Sequence, residues 1–212
     1  IGPNGAGKTT MFNVITGLQD TVGGRVILDG KDITAAKAHV RARAGIARTF
    51  QRLEVFGSLT ARENILTAAE IRKSWAHNRH GDPAGETDRL LDRVGIRSVA
   101  HERVDAMPTG LARLVELARA LATQPKVLLL DEPASGLDES ESESFAELLL
   151  ELAAEGMAIL LVEHDVQLVM KVCAHIHVLD FGAILAVGTP EEIQQNPAVL
   201  DAYLGTPVEG GA

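Results

Sequence analysis

Gly2-Pro3-Asn4-Gly5-Ala6-Gly7-Lys8-Thr9-Thr10 fits G-x-x-x-x-G-K-[ST], the pattern of a loop that cradles phosphates. Its glycines let backbone N–H groups close around α- and β-phosphates. Lys8 can reach the β/γ-phosphates, and the Thr9 hydroxyl can hold Mg²⁺. The candidate nucleotide-binding residues are therefore Asn4, Gly5, Ala6, Gly7, Lys8, Thr9 and Thr10. The helix that follows, read from Lys8 to Leu18, turns its positive N-terminal end to the same phosphates. Such a loop leaves a strand, and Ile1 is all that precedes it, so the sequence reads as an N-terminally truncated piece of a longer protein.

The 212 residues suit one domain with a subdomain, and 46% apolar content is enough to bury a core. The net charge of -9 argues against a basic face tracking a nucleic-acid backbone. No apolar run approaches the roughly 20 residues that span a bilayer, so a membrane role would work through a partner. Cys173, the single cysteine, cannot form an internal disulfide, which fits a reducing compartment and a packing role.

Alternating signals run along the chain. Arg25 to Gly30 reads as a short strand and turn, and Ala44 to Thr49 as another strand. From about Val55 to Glu116 the pattern is helical, clearest over Thr60 to Ile71 and Asp88 to Val94, with a polar loop expected at His77 to Gly85. Trp75 is expected to pack inside this block. Leu111 to Thr123 has helical spacing. Lys126 to Leu130 and Met157 to Val162 are continuous apolar strands of the kind buried on both faces of a parallel sheet. Helices are expected at Ser140 to Ala154 and Asp165 to Ala174, a hairpin at Ile176–Leu179 and Ala183–Val187, a short helix opened by Pro190, and a frayed tail at Gly210-Gly211-Ala212. Alternating strands and helices imply an α/β layered fold.

The strand Val127 to Leu130 ends in Asp131 and Glu132. Ligands bind at the carboxyl ends of parallel strands. There Asp131 can coordinate Mg²⁺, and Glu132 can act as general base on a water. With the phosphate loop, this pair points to a Mg-ATP site. His175 and His177 show no metal-ligand pattern.

The order of motifs resembles the ATP-binding subunit of an ABC transporter along nearly the whole length. Gln51 in Arg48-Thr49-Phe50-Gln51 matches the Q-loop, and Met107-Pro108-Thr109-Gly110-Leu111 falls at the signature segment. Leu128 to Glu132 matches Walker B, Pro133 to Asp138 the D-loop region, and His164 the switch histidine. The resemblance implies a P-loop NTPase core of ABC type with a parallel central sheet and a helical subdomain insertion. The core is placed at 1–55 and 117–212, and the insertion with the signature at 56–116. It further implies that Gln51 senses Mg²⁺ and the γ-phosphate, that His164 contacts the γ-phosphate, and that Asp138 lies between two ATPase subunits. In the family, the signature of one subunit closes over the ATP of its partner.

Here the signature departs from L-S-G-G-Q. Pro108 stands at the Ser position and offers neither hydroxyl nor N–H, Thr109 and Gly110 replace the two glycines, and Leu111 replaces the Gln. Thr109 is left to supply a hydroxyl. Ala47 to Phe56, Leu59 to Ile65, Glu163 to Met170 and Asn196 to Gly205 are similar to branched-chain amino-acid importers. That implies ATP and Mg²⁺ as cofactors. The partners implied are a second ATPase subunit (identical or paralogous), membrane permease subunits and, indirectly, a substrate-binding protein, with no nucleic acid. The place implied is peripheral, at the cytoplasmic face of the cell membrane. A soluble ABC-type ATPase with a mechanical or regulatory role stays open, as does an ABC subunit for another substrate such as urea, amides or lipid.

Overall fold

The three strands that carry the predicted site form one parallel sheet in the order β3 (Ile46–Arg48), β4 (Val127–Asp131), β5 (Ala158–Val162). The computed structural model describes residues 1–76 and 81–201. Residues 77–80 of the expected polar loop and the expected frayed tail lie outside these. Ala47 pairs with Leu128, and Leu128 with Ile159. The side chains of β4 alternate between two cores. Leu129 joins Phe12, Ile46 and Val162 on one face. Leu128 and Leu130 join a larger core on the other face, with residues such as Val115, Leu117 and Phe145. All three leucines are completely buried, which accounts for the unbroken apolar run in the sequence.

Helix α1 (Lys8–Thr16) covers the first face. It stops at Thr16, short of the expected Leu18, because Gly17 turns into the left-handed region and its N–H bonds back to Val14 O. The expected strand near Arg25 shrinks to β1 (Ile27–Leu28), paired antiparallel with β2 (Lys31–Asp32) through a turn at Asp29 and Gly30. Helix α2 (Ala38–Ala44) was not anticipated. It lacks an apolar face, and the nearly buried Arg41 anchors it instead. That guanidinium donates to the carbonyls of Val14 and Ile15 at 2.6 and 2.8 Å, satisfying the end of α1, and to those of Thr34 and Ala36. Because Ala44 ends α2, β3 starts only at Ile46.

On the second face lie α3 (Ala61–Ala76), α4 (Pro83–Arg93) and α5 (Thr109–Ala122), packed on one another, with α5 also against β3. α4 begins at Pro83, inside the expected loop, because Asp82 caps it by accepting from Gly85 N. α5 continues without a break from the expected insertion into the expected core. α6 (Glu139–Ala154) opens with a capping box made by Asp138 and Glu141. Asp165 caps α7 (Val166–Val172).

A separate hairpin, β6 (Ile176–Asp180) with β7 (Ala183–Gly188), precedes α8 (Pro190–Gln194) and α9 (Pro197–Val199). Ile1 lies along β6 in a parallel pattern: its N donates to His177 O and its O accepts from Leu179 N, both at 2.8 Å. No helix among the described residues is long and apolar enough to cross a membrane. Leu130→Ala should cost about 2–5 kcal/mol, because a buried leucine loses its contacts and leaves a cavity. Urea unfolding against the parent protein checks this.

Candidate active site

The phosphate loop is shaped by its own backbone and braced from the hairpin. Ala6 N donates to Pro3 O at 3.2 Å, and Gly182 N at the β6–β7 tip donates to Ala6 O at 3.0 Å. Gly7 has φ 101° and leads directly into α1, a conformation that a side chain would strain. Lys8 folds back across the loop, its Nζ donating to Gly2 O at 2.7 Å and Pro3 O at 3.0 Å. Asn4, Gly5, Thr9 and Thr10 are exposed. Lys8 and Met11 line one cleft with Leu160, Leu161 and Val162, so the loop end of α1 lies near the carboxyl end of β5.

The strand ends bring three predicted residues together. Gln51 follows β3, Glu132 follows β4 and His164 follows β5. Gln51 Nε2 donates to Glu132 Oε1 at 3.4 Å, and His164 Nδ1 lies 4.0 Å from Glu132 Oε2. Glu132 is held with φ 50°, in the left-handed region, and its N donates to Val162 O at 2.8 Å. Such strain persists only where the surroundings over-determine it, and it gathers at functional sites.

Asp131 is buried, one residue back, with Arg48 Nη2 2.9 Å from its Oδ2. Thr9 brings a hydroxyl, Asp131 a carboxylate and Gln51 an amide oxygen. These are hard oxygen donors of the kind Mg²⁺ takes when phosphate oxygens and waters complete its shell, so the donor set fits that ion. No cluster of three or more His, Cys, Asp or Glu side chains placed to hold a metal occurs among the described residues.

The signature segment stands apart from this cluster. Pro108 caps α5 and Thr109 opens it, and both are exposed. Gly110 is buried against the D-loop: a Cβ there would lie 2.7 Å from Gly136 O. The exposed Asp138 uses one carboxylate oxygen to cap α6, accepting from Glu141 N at 2.8 Å.

Three functional groupings went unread in the sequence. The Arg48–Asp131 pair is one. The second is Glu163, almost fully buried, whose Oε1 accepts from Ala134 N at 2.9 Å and whose Oε2 accepts from His164 N at 3.0 Å. It ties the D-loop region to the switch segment, and its place at the end of an apolar strand beside a histidine was the available signal. The third is the hold of α5 on the Q-loop. Arg113 donates to Phe50 O at 2.5 Å and to Gln51 O, and Glu116 Oε1 accepts from Phe50 N and Glu54 N, each at 3.3 Å. Burial pushes the Glu116 carboxyl above its ordinary range, against these N–H groups and Arg113. Burial likewise raises the Cys173 thiol.

A parallel sheet with a glycine loop opening a helix beside its carboxyl edge, and an Asp-Glu pair following its central strand, defines a domain of the P-loop NTPase class. The profile of the family described as ABC transporter matches residues 1–135. One described as branched-chain amino acid ATP-binding cassette transporter matches residues 183–209. The high-affinity branched-chain amino acid transport ATP-binding protein BraF of Pseudomonas aeruginosa is 42% identical, over 97% of this chain and 85% of its own. The corresponding LivG protein of Escherichia coli K12 is 38% identical over the same shares. Among solved structures, a nucleotide-free ATP-binding cassette from an ABC transporter superposes with a TM-score of 0.84 at 30% identity, covering 97% of this chain and 86% of that one. The chain belongs to the ABC transporter ATP-binding family.

Glu163→Gln should destabilise the protein by about 1–3 kcal/mol. The amide NH₂ would oppose one of the backbone N–H groups that the carboxylate now satisfies. Denaturant midpoints of the two proteins measure it.

Proposed function

We propose that this chain is the ATP-hydrolysing subunit of an importer for branched-chain or similar hydrophobic amino acids. The observation that carries the hydrolytic part is the meeting of Gln51, Glu132 and His164 at the strand ends. Lys8 and the amides of the phosphate loop bind the triphosphate and stabilise charge developing on its oxygens. Glu132 orients a water in line with the γ-phosphate and accepts its proton. His164 and Gln51 flank that carboxylate and hold the water and the γ-phosphate in register. Thr9, Asp131 and Gln51 would hold Mg²⁺, which would supply positive charge to offset that of the phosphates.

Two ATPase subunits act together. Pro108, Thr109 and Gly110 of one chain face the nucleotide of the other, and Asp138 lies between them. The exposure of Pro108, Thr109 and Asp138 supports this arrangement. A cleft between α2 and α3, lined by Leu18, Phe50, Ile71, Trp75 and Arg119, supports a docking place for a short helix of a membrane permease subunit. Because Arg113 and Glu116 bind the Q-loop backbone, closure around ATP would move α5 and that cleft together. The chain would then sit peripherally, at the cytoplasmic face of the membrane. The substrate assignment rests on the branched-chain profile over residues 183–209 and on the likeness to BraF and LivG.

Glu132→Gln should bind ATP as the parent does and lose at least about two orders of magnitude in turnover, the scale of a lost general base. Lys8→Ala should lose nucleotide affinity. Equilibrium nucleotide titration and phosphate release read the two effects separately. Uptake of labelled leucine, with urea and glutamate as comparisons, tests the substrate in cells lacking the gene. Restoration of leucine uptake by the wild-type gene and not by its Glu132→Gln form is expected. No defect for any of the three substrates would overturn the amino-acid reading and leave the ATPase reading standing.

A further inference from the structure

Arg48 ends β3 three residues before Gln51, and its side chain is 5% exposed. Its donors reach two other elements and the next residue. Nη2 meets Asp131 Oδ2 at 2.9 Å, Nη1 donates to Asn13 Oδ1 on α1 at 2.6 Å, and Nε donates to Thr49 O at 3.2 Å. The rings of Phe50 and Phe12 lie 4.6 and 5.2 Å from its Cζ. A guanidinium donates from a rigid planar fork, so bonds on several edges fix its plane, and the flanking rings restrict it further. The carboxylate it meets is only 3% exposed, and the main chain that carries it is anchored where Asp131 N donates to Thr49 Oγ1 at 3.2 Å. Arg48 takes Oδ2, which leaves Oδ1 for another ligand.

We infer that Arg48 is a positioning residue for Asp131. It sets the carboxylate in one orientation, one oxygen taken and the other presented, and ties that orientation through Asn13 to the helix that follows the phosphate loop. The nucleotide-binding helix and the metal-binding carboxylate are thereby held in fixed relation before any metal arrives. The inference rests on the reading of Asp131 as a Mg²⁺ ligand. Lysine keeps the positive charge but is a single point donor without the fork. Arg48→Lys therefore isolates orientation from charge compensation.

The test is equilibrium binding of mant-ATP to the full-length protein, its Arg48→Lys form and its Asn13→Ala form, with Mg²⁺ and with EDTA. Affinities in EDTA should agree within about two-fold, because the hydrogen bonds of Arg48 go to Thr49, Asn13 and Asp131 and not to the phosphate loop. The gain in affinity on adding Mg²⁺ should fall about ten-fold in Arg48→Lys, the lower end of what losing a supporting partner of a metal ligand costs. Asn13→Ala should lose a smaller part. The Mg²⁺ concentration for half-maximal hydrolysis should rise in the same order.

A parent-like Mg²⁺ gain in an Arg48→Lys protein with unchanged circular dichroism and unfolding midpoint would overturn the inference. Should that variant not fold, Asn13→Ala decides, since it leaves the guanidinium–carboxylate pair in place; a full Mg²⁺ gain there would overturn the inference equally. Absence of any Mg²⁺ gain in the parent would instead overturn the metal role of Asp131, and the inference with it.

Discussion

Leu128, Leu129 and Leu130 expose none of their surface, and the rest of the structure is arranged around that fact. A strand buried on both faces needs a neighbour on each side for its backbone and a helical layer on each face for its side chains. Strands β3 and β5 supply the first. α1 supplies one layer through Phe12, and α5 and α6 supply the other through residues such as Leu117 and Phe145. Because the strands are parallel, their carboxyl ends fall on one edge, where Asp131 pairs with Val162 and Arg48 lies two residues back, opposite Leu129. The residues that follow them, Gln51, Glu132 and His164, then have only one place to meet.

That edge is held by buried charge. Arg48 with Asp131, Arg113 with Glu116, and Glu163 with the amides of Ala134 and His164 all lie near or inside the core. Buried ion pairs are weak evidence of stability, since desolvation offsets much of their attraction. Their use here is geometric. Arg48 reaches Asp131 across 83 positions, Glu163 reaches Ala134 across 29, and Arg113 and Glu116, one turn apart on α5, together reach the backbone of Phe50. Glu132 sits among them with its backbone in the left-handed region and its N donating to Val162 O.

Four of the residues proposed to act on nucleotide are tied down in the same way. Lys8, Asp131, Glu132 and Gln51 are tied to backbone carbonyls, to an arginine or to each other. Pro108 and Thr109 sit at the exposed start of α5, while Gly110 behind them is packed too closely against Gly136 for any side chain. A shift of the Q-loop would be passed through Arg113 and Glu116 to α5 as a whole, because those two side chains grip its backbone on both N–H and carbonyl sides.

The sequence by itself determined the elements whose cause is local: the phosphate loop with its glycines, the apolar strands ending in Asp131-Glu132 and before His164, the helix over Ser140 to Ala154, and the short helix opened by Pro190. Their signals lie within a few residues, in periodicity, capping and turn chemistry. The order of those motifs was also enough to place the chain in its family. What only the tertiary structure decided has long-range causes. Helix α2 exists because Arg41 caps the end of α1. Asp131 meets Arg48, 83 positions away in the chain. Glu116 sits beneath the Q-loop, and Glu163 joins two loops. A buried charge looks like any surface charge in a sequence, since its partner is chosen by the register of the sheet and the seating of α5, and neither is written in the residues beside it.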